Sequence, residues 1–137
     1  MNLGTKAERC VIGELAKFDI AVVFHYPNGN NYDLVADIDG EFYKIQVKSC
    51  IRRKHDAIPF DLRKGHNTKE TYTRNDCDIV ALFDHRYNTT YLLGPKDFEG
   101  RTQFTIRYWN TLNGQDENCN WHDDFVICRR RIQEVFK

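Results

Sequence analysis

Three prolines and eight glycines among 137 residues leave little material for a flexible linker. No internal repeat or low-complexity tract is present, which excludes a solenoid or an array and predicts one domain over residues 1–137. Net charge is lacking too: 20 Lys and Arg offset 20 Asp and Glu. That excludes a histone-like polycation, though not a nucleic-acid binder that keeps its charge in patches. No run approaches the ~20 apolar residues of a membrane span, and the polar start MNLGTKAERC has no apolar signal region. A cytoplasmic location without membrane contact is expected. The five cysteines (Cys10, Cys50, Cys77, Cys119, Cys128) are odd in number and form no CxxC, so reduced thiols are the natural state. The Asn88-Thr89-Thr90 sequon is then a coincidence.

What the chain does have is enough apolar matter for a core, 41% hydrophobic and 13% aromatic. Helical spacing of Ala7, Val11, Leu15 and Phe18 predicts a helix from Thr5 to Phe18. Asp19 to Tyr26 is a β-rich run, ended by a turn-rich stretch from Pro27 to Asn31. Two alternating runs, YDLVADI and EFYKIQVKSCI, flank Asp39-Gly40, a strong signal for a type I′ hairpin. A polar, basic segment follows, then DIVALFD, TYLLGP and QFTIRYW as strands and a helix from Asp123 to Phe136. These elements make an α/β or α+β domain with an antiparallel core.

The hairpin permits a geometric argument. With Asp39 and Gly40 in the turn, Ile38 opposes Glu41, and Asp33 then faces Gln46. Lys44, Gln46 and Lys48 share one side of their strand, and Tyr43, Ile45 and Val47 share the other. Asp33 would lie on the polar side, its Cβ roughly 5 Å from that of Gln46. Such an acid, amide and amine could hold a hard cation through oxygen and set a lysine near a water.

The same residues carry a resemblance. YDLVAD and QVKS around the hairpin, preceded by GTKAE, look like the PD-(D/E)XK nuclease core. More narrowly, Gly4 to Glu8, Tyr32 to Val35, Gln46 to Ser49 and Tyr72-Thr73 to Asp78 are similar to group I intron-encoded homing endonucleases. The resemblance implies a restriction-endonuclease-like α/β core: a mixed sheet with a central β-hairpin flanked by helices. It also implies Mg²⁺, with Mn²⁺ as substitute, held by Asp33, the Gln46 side-chain oxygen, the Val47 carbonyl and Glu8. Lys48 would position or help deprotonate the attacking water. Gln46 stands where most of the superfamily has an acid, as the homing branch tolerates. The implied function is site-specific cleavage of double-stranded DNA by a homo-oligomer, dimer or tetramer, associated with the nucleoid when acting. A Holliday-junction resolvase of the same fold, a non-catalytic DNA-binding module and a metal-free interaction domain are the alternatives.

Several residues have a second reading. Thr5-Lys6-Ala7-Glu8 is also a capping box, in which Glu8 would only satisfy the Thr5 amide; Glu14 is then the substitute acid. Lys48 could be a solvated edge-strand charge. Between Lys44 and Arg74 stand nine basic residues against three acids. Of these, Arg52, Arg53, Lys54, Arg63, Lys64 and Arg74, with Tyr72, are expected to contact DNA. Arg107-Tyr108-Trp109 has base-stacking chemistry, yet suits a strand edge packed on its own core. Arg129-Arg130-Arg131 near the last helix end would complement the helix dipole. Cys119, His122 and Cys128 offer three ligands where structural zinc needs four, so idle thiols are the expectation.

Overall fold

The computed structural model describes residues 2–26, 31–52, 57–65, 67–108 and 119–136. It opens on α1 (Leu3–Ala16), whose buried stripe Ala7, Val11 and Leu15 recurs every four residues. The helix starts earlier than Thr5. Asn2 is its N-cap, the side chain accepting from the Thr5 amide at 2.8 Å. With that amide satisfied, the capping box does not form and Glu8 is released for another partner.

The strands β1 (Ala21–His25), β2 (Leu34–Ile38) and β3 (Glu41–Cys50) form an antiparallel meander. The hairpin has the expected register, Ile38 opposite Glu41 and Leu34 opposite Ile45. Asp39 and Gly40 both take positive φ, 54° and 87°, as a type I′ turn demands. Within the polar segment the sequence hides β4 (Ala57–Asp61), whose Pro59 is tolerated because the strand is an edge. The chain then returns to the first sheet as β5 (Ile79–Asp84), parallel to β3, with Gln46 paired to Val80. The sheet is therefore mixed, as the resemblance implies, and the antiparallel core read from the order of the strands is interrupted at β3 and β5. β5 is buried at every position, consistent with a central strand covered on both faces. A turn with Asn88 at φ 50° leads to β6 (Thr89–Leu93) and the short α2 (Pro95–Phe98).

β7 (Gln103–Arg107) pairs antiparallel with β4, and β8 (Asn120–Trp121) joins it in parallel, giving a second mixed sheet of three strands. The first sheet runs β1-β2-β3-β5-β6. The expected closing helix is split into α3 (His122–Phe125) and α4 (Arg129–Val135). Between them Val126 bridges to Tyr91 and the Ile127 amide donates to the Thr90 carbonyl, so pairing with the edge of β6 displaces the helix.

Two cores flank the central strands. Ile45, Val47, Ile79, Ala81 and Phe83 pack beneath α1 and against Phe136. Val80 and Leu82 on the opposite face meet Phe60, Phe104 and Ile106 of the second sheet, together with Leu62 and Tyr72 from the crossover linking β3 to β5. The β3 face expected to be polar is thus an interior face. Among the described residues no helix is long and apolar enough to cross a membrane, and Cys10, Cys50, Cys77 and Cys128 are free thiols.

Candidate active site

Glu8 is 8% exposed and turns toward the end of β1, where His25 Nε2 donates to its Oε1 at 2.7 Å. A bulge makes this meeting possible. Val22 opposes Ala36 and Phe24 opposes Val35, so Val23 is the extra residue and His25 falls opposite Leu34, on the α1 side. Regular alternation would have put Val22 and Phe24 on one face and His25 on the other; the bulge re-aims the imidazole. The alternation rule gave no signal for His25. Glu14 does not substitute for Glu8, being tied to Lys17 at 3.3 Å.

Asp33 precedes β2 and is 4% exposed. Its Oδ2 accepts from the Val47 amide at 2.9 Å, which pins the carboxylate across the hairpin. Gln46 is 7% exposed; its Nε2 donates to the Val47 carbonyl at 3.3 Å, and its buried Oε1 has no hydrogen-bond partner. Lys48 is not a solvated edge charge. It lies on a central strand, and its Nζ donates to the Arg63 carbonyl at 2.7 Å and sits 5.2 Å from the centre of the Tyr72 ring.

The electrostatics follow from burial. Desolvation raises the Asp33 carboxyl to about 6; the Glu8 charge adds to the rise, while the Val47 hydrogen bond and the charges of Lys48 and His25 oppose it. Desolvation also lowers the Lys48 ammonium below its ordinary range, against the pull of Asp61 and Asp33. Asp61 is held down at about 2, mainly by its side-chain hydrogen bonds from Arg63.

This donor set suits a hard, oxygen-preferring divalent cation. The orphaned Gln46 oxygen is a buried acceptor waiting for a positive partner, beside the carboxylate of Asp33. Among the described residues no three of His, Cys, Asp and Glu stand together as a ready ligand set. A cation would therefore rest on Asp33, Gln46 Oε1 and Glu8, with water completing its shell. The Val47 carbonyl already accepts from Gln46, so of the four expected ligand residues it is the least available. Cys119, His122 and Cys128 likewise form no metal group, and His122 is paired with Asp123 at 3.0 Å.

The expected DNA contacts divide. Arg52 is exposed beside a cleft of about 810 Å³ that is also lined by Ser49, Asp61, Arg63 and Lys69. Arg63, Lys64 and Arg74 are paired with Asp61, Asp76 and Glu99 at 2.8, 3.0 and 3.1 Å, so the basic segment is partly neutralised. Tyr72 is 3% exposed and belongs to the core, which removes it as a surface contact. Arg53, Lys54 and Trp109 lie outside the described residues. Arg129 to Arg131 stand at the start of α4, not its end, and Arg131 is buried. The helix-dipole reading of these arginines is corrected accordingly.

A hairpin delivering an acid and a lysine around one strand, with a helix glutamate behind it, is the arrangement that defines a nuclease class. Residues 1–128 match the model of the PD-(D/E)XK endonuclease family, and the chain belongs to that family. Its fold is similar to the solved structure of a bacterial homing endonuclease, I-Ssp6803I. The TM-score is 0.63 at 20% identity, over 80% of this chain and 75% of that one. The restriction-endonuclease-like architecture implied by the sequence is thereby found. No curated protein matches.

Proposed function

We propose that this chain is a site-specific endonuclease that cuts double-stranded DNA with Mg²⁺, and that it works as a dimer or tetramer. The observation that carries the reading is the meeting, around Val47, of a buried carboxylate, an unpartnered amide oxygen and a lysine ammonium. Asp33, Gln46 and Glu8 would hold the cation. When bound, it neutralises phosphate oxygens and makes a water acidic enough to attack near neutral pH. Lys48 orients the attacking water and faces the charge that builds on the phosphate. His25 keeps the Glu8 carboxylate directed at the site. Arg52 and the cleft beside it take the neighbouring backbone. A chain this short spans part of a long target, which favours symmetric copies reading two half-sites.

The test is a random-sequence pool of linear duplexes incubated with Mg²⁺. Cutting at one recurrent sequence is expected. Cleavage confined to four-way junctions would make the protein a junction resolvase, and binding without cleavage in Mg²⁺ or Mn²⁺ would make it a non-catalytic module.

Gln46 provides a prediction about the metal. Gln46→Ala removes the orphaned oxygen and should raise the Mg²⁺ concentration needed for half-maximal cleavage, leaving metal-free DNA binding unchanged. Gln46→Glu supplies a full charge in nearly the same shape and should lower that concentration. It should also destabilise the metal-free protein at neutral pH, because it buries a carboxylate where the amide donated to Val47. Metal titrations of cleavage in the three proteins, beside their melting curves, check this. An unchanged Mg²⁺ requirement in Gln46→Ala would remove Gln46 from the ligand set.

Salt dependence separates free cations from paired ones. Replacing a phosphate-contacting residue lowers the slope of log affinity against log salt by about one. Arg52→Gln should do so. Arg74→Gln should change the slope by less, since its guanidinium already rests on Glu99. Equal effects would mean that the Arg74 pair opens on DNA.

A further inference from the structure

Lys48 presents a problem that the nuclease reading leaves open. Its side chain is half-buried, and a cation drawn partly out of water normally takes a carboxylate partner. A carboxylate would cancel the charge that the phosphate needs. One candidate, Asp61, is occupied: Arg63 Nε and Nη2 donate to its two oxygens at 3.0 and 2.8 Å. The direct contacts of Lys48 are instead neutral, the Arg63 carbonyl at 2.7 Å and the ring of Tyr72 at 5.2 Å, while the charges of Asp61 and Asp33 act on it across space. The same ring receives the Lys64 ammonium at 5.7 Å, and Asp76 holds that residue at 3.0 Å.

An aromatic face attracts a cation through its quadrupole without neutralising it. The geometry points to Tyr72 as the positioning residue of the site: its ring seats the Lys48 ammonium beside Asp33 while leaving the full positive charge for the phosphate. The phenol hydroxyl has no part in this, and the ring is not a DNA contact. Position matters because Lys48 is otherwise held only by its flexible four-carbon stem and one hydrogen bond to the Arg63 carbonyl, and small misplacements of a reacting group are costly. The role rests on the reading of Lys48 as the phosphate-facing cation.

The test keeps the shape of the ring and drains its electrons. Tyr72→Phe is made first, followed by mono-, di- and trifluorinated phenylalanine at the same position, all in the full chain. Tyr72→Phe should cut at close to the parent rate. The kcat should then fall stepwise with each fluorine, roughly tenfold across the series, with KM and metal-free DNA affinity unchanged. A flat kcat, or a fall in which KM carries the change, overturns the proposal, because packing alone is indifferent to fluorine. A second reading needs neither metal nor cleavage. The Lys48 Cε protons should show an upfield ring-current shift in the parent and in Tyr72→Phe. Ordinary lysine shifts there would overturn the seat. If the parent cuts no duplex while the shift is present, the nuclease reading falls and the seat stands.

Discussion

Asn at position 33 leaves DNA cleavage at roughly one hundredth of the parent rate or less, the usual scale for losing a key electrostatic group, and yet yields a more stable metal-free protein at neutral pH. The two effects share one cause. The Asp33 carboxyl is raised from its ordinary 3.8 to about 6 because it is buried and stands near Glu8. An acid with a raised folded-state value binds its proton more tightly folded than unfolded. Its contribution is fully present below about pH 4 and is lost as the pH climbs through about 6. Asp33→Asn never ionises and can still accept from the Val47 amide. Its melting temperature should match the parent's near pH 4 and exceed it above pH 6. Lys48→Met should show a similar loss of cleavage with metal-free DNA binding kept. Parent-like cutting by either variant would sink the site; a stability gap that is constant with pH would sink the electrostatic account.

Arg131→Met should cost about 3 kcal/mol of folding stability. The Arg131 guanidinium, 4% exposed, donates from Nε and Nη2 to the Leu92 carbonyl at 2.9 and 2.7 Å, and from Nη2 to Asp97 Oδ2 at 2.7 Å. It also lies over the Phe125 ring. One side chain thus ties α4 to β6, α2 and α3. Methionine refills much of the volume but leaves the Leu92 carbonyl without these two donors and Asp97 without its cation. The lower end of the range for broken buried pairs applies because the Asp97 side chain is 15% exposed and recovers some hydration. Urea unfolding should show a lower midpoint with an unchanged slope. A loss below 1 kcal/mol would mean that the latch is hydrated in solution.

Local sequence carried the hairpin and, through it, the placement of most candidate site residues. Asp39-Gly40 imposes the turn, alternation imposes the faces, and Asp33, Gln46 and Lys48 follow from the register. What local sequence could not carry was long-range pairing. β3 lies parallel to β5 through a crossover that no turn signal marks, and that pairing converts the seemingly polar face of β3 into an interior one. β4 was concealed by its basic neighbours and by Pro59, which reads as a breaker until the strand proves to be an edge. Thr5 and Glu8 have the residue types and spacing of a capping box, but Asn2, one turn earlier, takes the cap. His25 needed a bulge, and bulges insert a residue without any compositional mark. Tyr72 looked like a surface aromatic among lysines; its ring is buried, with Lys48 and Lys64 lying over its face.

The crossover between β3 and β5 also orders events in time. The β2–β3 hairpin closes over a two-residue turn and can zip on the microsecond scale. That step already joins Asp33 to the Val47 amide. The parallel pairing of β3 with β5 must wait for residues 51–78 to be gathered in, a non-local closure of the kind that slows folding. Arg63 and Tyr72, which hold Lys48, lie inside that stretch. During refolding the carboxylate half of the site therefore precedes its cationic half. Activity should return with the slowest phase, well after the hairpin's own spectroscopic signal. On the ribosome, a nascent chain that already displays the Asp33 carboxylate lacks the seat of Lys48 until the crossover has docked.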